Sequence, residues 1–255
     1  MNPTPDALKV SGLCRSFGAL AVTSNVDLTL KRGARAALIG PNGAGKTTLI
    51  NLITGLLAAS AGTVELEGRD VTGIDQAGRA RLGLMRSFQV TRLFKQMTVA
   101  DNVRLAVLQR GGTRLRLMRA AKDEPGLDDA VQAALQQVGM QDRGNTQVTN
   151  LAYGEQRLVE LALALAAKPH VLLLDEPAAG VPQGESSVIV RAVEGLPKDL
   201  AVLLIEHDMD LVFRLASEIN VLVAGSILMR GTPQQVANDE RVQRLYLGEK
   251  DHALH

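Results

Sequence analysis

From Leu8 to Ile39 the apolar positions fall into three short runs, LKVSGLCRSF, NVDLTL and RAALI, separated by Gly, Ser, Asn and Lys-Arg-Gly turns. That punctuation predicts strands. Beyond residues 40–45 the pattern changes to Leu49, Leu52, Ile53, Leu56 and Leu57, the spacing of one helical face, so the segment reads strand, loop, helix. GTVELEG alternates like a half-exposed strand and leads into a Gly- and Arg-rich connection. From about Met97 to Ala167 the periodicity is helical: Leu127, Ala130, Val131, Ala134, Leu135 and Val138 share one face, and Leu158, Leu161, Ala162 and Leu165 share another. A mainly helical insertion is expected there. Strand-like runs then return as VLLLDEP, LAVLLIEHD, EINVLVAG and SILMRG, with helical stretches between them. The first two are apolar throughout, as strands buried on both faces of a parallel sheet are.

The 255 residues suffice for one large domain or a core with a subdomain, and 46% of them belong to hydrophobic classes. Lys and Arg number 28 against 27 Asp and Glu, so bulk charge draws the chain to neither nucleic acid nor anionic lipid. With no Trp, two Tyr and four Phe, platforms for stacking on single-stranded nucleic acid are also scarce, and no nucleic-acid partner is expected. The one cysteine, Cys14, cannot form an internal disulfide; it fits a reducing compartment and is expected as small core filler. The start MNPTPDALKV lacks the basic and apolar regions of a secretory signal, which points to the cytoplasm. The longest apolar region, LVELALALAAKPHVLLLDEP, is broken by Glu160, Lys168, Pro169 and His170 short of the ~20 residues a bilayer crossing requires, so no membrane span is expected.

Chemistry enters with Gly40, Pro41, Asn42, Gly43, Ala44, Gly45, Lys46, Thr47 and Thr48, which match the phosphate-binding loop pattern in full, after a strand and before a helix. Glycines let successive backbone N–H groups turn inward to form a nest, and the helix opening at Thr47 and Thr48 makes it more positive. ATP and Mg2+ are the expected ligands: Lys46 reaches the β- and γ-phosphates, and the Thr47 hydroxyl takes a site on the cation. VLLLDEP delivers Asp175 to the carboxyl end of a buried strand as a second partner of Mg2+. Glu176, the next residue, is placed to polarise an attacking water as general base.

Three further segments, NLAYGEQRLVELALAL, RSFQ and LLIEHD, stand around this pair in an order and spacing that resembles the ATPase subunit of an ABC transporter. The likeness runs from Phe17 to RLYLGE near the end of the chain. It implies an α/β fold of the phosphate-loop NTPase type: a RecA-like core with a mainly parallel sheet, an antiparallel β subdomain and an α-helical subdomain. One ABC ATP-binding domain is expected over 1–255, with the β subdomain and phosphate-loop part of the core in 1–88, the helical subdomain in 89–167, and the rest of the core and the tail in 168–255. The resemblance assigns Gln89 as the lid glutamine that senses Mg2+ and water, His207 as the switch histidine that donates to the γ-phosphate, and Phe17 as the aromatic that stacks on adenine. Leu151, Ala152, Tyr153, Gly154 and Glu155 correspond to the family signature Leu-Ser-Gly-Gly-Gln, which opens a helix aimed at the γ-phosphate held by a facing subunit. ATP then acts as the glue of a head-to-tail dimer, formed by two copies or by this chain with a homologous second ATPase. Ala152 lacks the signature serine's hydroxyl, and Pro182 stands where the family usually has Asp or Asn in the D-loop, so cross-talk between the two sites is the feature most in question.

RSFQVTRLFKQMTVADNV, NLAYGEQR, LLLDEPAAG, LIEHDMDLV and RVQRLYLGE resemble most the ATPases of importers of branched-chain and other hydrophobic amino acids. That likeness implies integral-membrane permease subunits, a periplasmic solute-binding protein as an indirect partner, and a peripheral place on the cytoplasmic face of the inner membrane. Val90, Leu93, Phe94 and Met97 are the expected apolar anchors for a permease helix. The basic run Arg110, Arg114, Arg116, Arg119 and Lys122 is expected as a solvated face. Two rival readings remain at this stage, a lipid or lipopolysaccharide exporter ATPase and a soluble ABC clamp outside transport. His170, His252 and His255 match no motif.

Overall fold

The computed structural model describes residues 5–87, 93–110 and 125–251. Two sheets organise them. The first is antiparallel, in the order β2-β1-β4-β5, with β1 (Leu8–Phe17), β2 (Leu20–Leu30), β4 (Ala61–Leu66) and β5 (Arg69–Asp70). The second has six strands in the order β10-β9-β3-β8-β7-β6: β3 (Arg35–Ile39), β6 (Leu84–Arg86), β7 (Val171–Asp175), β8 (Ala201–Ile205), β9 (Glu218–Val223) and β10 (Ser226–Gly231). All its neighbours are parallel except the β9–β10 pair.

The apolar alternation within β3 and β7 explains why the sheet is covered on both sides. Ala37, Ile39, Leu172 and Leu174 enter one core, Ala36, Leu38, Val171 and Leu173 the other. On the second face lie α1 (Lys46–Thr54) and the inner side of the antiparallel sheet; on the first lie the helices of the insertion and those that connect the later strands. Each fully buried leucine in such a core contributes about 1.5–3 kcal/mol.

The insertion folds as predicted into α3 (Val99–Arg110), α4 (Leu127–Gln137) and α5 (Tyr153–Ala166), preceded by α2 (Gln76–Arg81) within the connection that the sequence left unassigned. Val131, Ala134, Leu135 and Val138 of the expected α4 face are buried, as are Leu158, Leu161, Ala162 and Leu165 of α5. After β7 come α6 (Gln183–Glu194), α7 (Met209–Leu215), α8 (Pro233–Ala237) and α9 (Glu240–Asp251). No described helix is long and apolar enough to cross a membrane.

Three expectations need correction. The first helix stops at Thr54, because Gly55 adopts a left-handed φ of 76° and closes the C-terminus onto Leu52 O; Leu56 therefore points into solvent at 59% exposure instead of extending the buried face. Cys14 is only half-buried: its Sγ accepts the Asn25 N–H at 3.1 Å beside an irregularity in the β1–β2 register, so it sits at a break in the strand pairing and does not fill the core. Leu93, expected as an exposed anchor, is 8% exposed and packs into the core with the helical insertion, whereas Phe94 is 60% exposed. Val90, Gln89 and the basic side chains from Arg110 to Lys122 lie outside the described residues, as do His252 and His255.

Candidate functional site

The carboxyl ends of three adjacent parallel strands converge on one edge of the second sheet: β3 leads into Gly40, β7 into Glu176, and β8 into Glu206 and His207. This is the edge at which open α/β sheets hold ligands. The register is direct, with Asp175 paired to Ile205, and the Glu176 N–H donates to Ile205 O at 2.9 Å.

The loop from Gly40 to Gly45 is shaped by two close backbone approaches. A Cβ at Gly40 would stand 2.1 Å from Leu222 O and one at Gly45 would stand 2.6 Å from Val22 O, so only glycine lets β9 and β2 come that near. The β9–β10 turn adds a clasp, since Gly225 N–H donates to Ala44 O at 2.9 Å and Ser24 N–H to Gly225 O at 2.8 Å. Ala44 is buried in this junction while Asn42 and Gly43 are exposed, leaving the concave backbone open. Gly45 caps α1 without a side chain, and no acidic residue stands in the first turn. The positive end of the helix thus has no internal anion, the condition under which a helix N-terminus takes an external one. Lys46 lies over the loop, its Nζ donating to Pro41 O at 3.0 Å and to Gly40 O. Thr47 is exposed and Thr48 half-buried.

Across from the loop, Asp175 is nearly buried and forms an ion pair with Arg86, whose other guanidinium nitrogen donates to Asn51 Oδ1 at 2.8 Å. Arg86 thereby ties the tip of β7 to α1. Neither Arg86 nor Asn51 was read as functional in the sequence; Arg86 stands just ahead of Ser87 in RSFQ, the only signal that marked it. Glu176 has a left-handed φ of 47°, an uncommon state for a non-glycine residue and one that clusters at functional sites. His207 Nδ1 lies 3.8 Å from Glu176 Oε1 and 3.8 Å from Glu206 Oε2, on an imidazole that is 71% exposed. Burial pushes the Glu206 carboxyl above its ordinary value, outweighing the backbone N–H groups of His207, Asp208 and Ala178 that favour its charge. Glu206 was missed because it reads, in sequence, as one more residue after an apolar strand.

Phe17 ends β1 at the turn into β2 and is 48% exposed, with the Arg15 guanidinium 4.8 Å from its ring centroid. It is not a core residue. Its hairpin is the one whose Val22 carbonyl abuts Gly45.

The signature residues lie elsewhere, at the start of α5 in the helical insertion. Leu151 is buried beneath it, and Ala152 is the N-cap with no side-chain oxygen to offer. Glu155 supplies the acceptor, its Oε2 taking the Ala152 N–H at 3.0 Å while Oε1 pairs with Arg143 at 3.1 Å. The Gly154 N–H donates to Glu185 Oε2 of α6 at 2.9 Å, so this amide is engaged within the chain, a contact the sequence did not announce. Tyr153 is 39% exposed; its hydroxyl accepts from Arg157 at 2.8 Å. Pro182 is the N-cap of α6 and provides no side-chain hydrogen bond. The structure thus brings together the loop, Asp175, Glu176 and His207, and leaves the signature apart from them on another element.

Residues 23–179 match the family described as ABC transporter, and residues 226–252 match the one described as branched-chain amino acid ATP-binding cassette transporter. The high-affinity branched-chain amino acid transport ATP-binding protein LivG of Salmonella typhimurium is 39% identical over 95% of this chain and 98% of its own length. The corresponding protein BraF of Pseudomonas aeruginosa is 36% identical, again over 95% of this chain and 98% of its own. Among solved structures, the ADP conformation of MJ1267, an ATP-binding cassette of an ABC transporter, superposes with a TM-score of 0.85 at 30% identity, covering 96% of this chain and all of that one.

Proposed function

The chain belongs to the ABC transporter family as an ATP-binding ATPase cassette, and from that premise we propose that it powers an importer of branched-chain or other hydrophobic amino acids. The C-terminal match at residues 226–252, to the family described as branched-chain amino acid ATP-binding cassette transporter, favours this cargo over lipid export and over a soluble clamp. The observation that carries the catalytic reading is the meeting, at one sheet edge, of an uncapped α1 N-terminus with Asp175, Glu176 and His207.

In this reading the amides of residues 43–48 and the Lys46 ammonium hold the β- and γ-phosphates, and Phe17, already exposed, stacks on adenine. Glu176 takes the proton of the attacking water, and His207, beside it, donates to the γ-phosphate. The Thr47 hydroxyl and one Asp175 oxygen suit Mg2+, a hard cation that takes few protein oxygens and completes its shell from phosphate and water; Arg86 orients that carboxylate. Bound there, the ion neutralises charge that develops on the phosphates. Gln89, outside the described residues, is assigned the role of lid glutamine by the family resemblance alone.

The α5 N-terminus at Leu151–Glu155 faces the triphosphate of a second subunit, either another copy or a related ATPase. Closure of that pair on ATP and its release after hydrolysis drive the permease. Exposed Phe94 supports a permease contact beside the insertion, at the cytoplasmic face of the inner membrane, with a solute-binding protein acting through the permease. Reconstitution tests this reading: ATP turnover by the chain assembled with its permease subunits rises when the solute-binding protein carries leucine, isoleucine or valine. Turnover indifferent to all three argues for another cargo.

A further inference from the structure

Glu206 continues the buried run of β8 with a carboxylate that is itself 3% exposed. Its Oε2 accepts the His207 N–H at 3.1 Å, and the Asp208 and Ala178 N–H groups face it. Among the described residues its Oε1 has no hydrogen-bond partner. No lysine or arginine pairs with it in the described structure; the one cationic candidate beside it is the His207 imidazole, 3.8 Å away. A carboxylate buried on such terms costs stability, and an apolar side chain would continue the strand more cheaply. Costs of this kind are characteristic of functional sites.

The neighbouring histidine has the opposite problem. At 71% exposure the His207 ring is held by little packing, yet a group that must meet one phosphate oxygen needs a fixed orientation. What flanks Nδ1 is a pair of carboxylates, Glu206 from its own strand end and Glu176 from the adjacent one. Glu206 also reaches the Ala178 amide, two residues beyond Glu176, so one side chain touches both strand ends.

We propose that Glu206 is a positioning residue of the ATPase reaction, its carboxylate holding the His207 backbone and imidazole in one geometry. The inference rests on the roles given above to Glu176 and His207. Glu206 does not touch substrate; it acts through the histidine.

A double-mutant cycle decides the matter. Glu206→Gln keeps the shape and one acceptor oxygen, so kcat is expected to fall about tenfold while the KM for ATP stays within about twofold and the melting temperature does not drop. Combined with His207→Ala, it is expected to add less than about a twofold further loss, because the two residues act as a unit. Should Glu206→Gln fail to fold, Glu206→Asp, which keeps the charge and withdraws it by one methylene, is expected to give the same His207-dependent loss. An unchanged kcat in the single variant, or losses that multiply fully in the double one, overturns the proposal. An unchanged kcat in His207→Ala alone instead removes the histidine from the reaction, and the inference with it.

Discussion

Glu176 and His207 stand at the ends of neighbouring parallel strands with 3.8 Å between Glu176 Oε1 and His207 Nδ1. The strand register fixes this meeting, because Asp175 pairs with Ile205 and the Glu176 N–H is bonded to the Ile205 carbonyl. Glu176 is therefore fixed by this backbone bond, in a left-handed conformation with φ of 47°. Glu176→Gln removes the basic oxygen and leaves the phosphate loop untouched. Turnover is expected to fall by about 10²–10⁴-fold, measured by phosphate release, with ATP affinity within a few-fold of the parent.

Lys46 reaches over the loop, its ammonium donating to the Gly40 and Pro41 carbonyls, and in the proposed function it turns to the phosphates. Lys46→Ala is expected to weaken ATP binding by about 1.5–3 kcal/mol, the range for a hydrogen bond to a charged group. Calorimetric titration reads this directly. An unaltered dissociation constant would remove Lys46 from the cradle.

Pro182 caps α6 with no side-chain hydrogen bond. Pro182→Asp supplies an acceptor to the first turn and is expected to stabilise the chain by about 0.5–1 kcal/mol in thermal unfolding. It also supplies one of the two residue types, Asp or Asn, that the family resemblance places at this position, and the Hill coefficient for ATP hydrolysis is expected to change. A stability gain with an identical Hill coefficient would confine the residue to capping.

Burial raises the Glu206 carboxyl above its ordinary value. The folded state thus prefers the protonated form, and the stabilisation tied to that proton is complete below the unfolded-chain value and lost as pH rises through the folded one. Glu206→Gln carries no such proton. Its stability relative to the parent is expected to increase between about pH 4.5 and about pH 7, measured by urea unfolding at both. A difference that stays flat or shrinks contradicts the assignment.

Much of the sheet was legible because its strands are continuous apolar runs bounded by turns: RAALI is β3, and VLLLD and AVLLI, within the longer runs read from the sequence, are β7 and β8. β6, three residues long, and α2, six, were hidden inside a Gly- and Arg-rich stretch. No apolar face marks α2. It is anchored by Arg79, which is 3% exposed and donates to the Leu52, Ile53, Thr72 and Ile74 carbonyls, a use of arginine that hydropathy cannot reveal. The phosphate loop and the acidic strand end were readable as local motifs. The Arg86–Asp175 pair, the Gly154–Glu185 bond and the Glu206 contacts were not, since the first two join residues distant in sequence and Glu206 reaches Ala178 across two strands.

In the proposed function, ATP is bound jointly by the phosphate loop of one subunit and the α5 N-terminus of another. Sedimentation of the Glu176→Gln variant with saturating Mg-ATP, alone and with the related ATPase of its transporter, tests it most directly. A dimer that forms with ATP, disperses with ADP and fails to form when Lys46→Ala is present in both subunits is the predicted result; a monomer at every nucleotide concentration in both mixtures would contradict it.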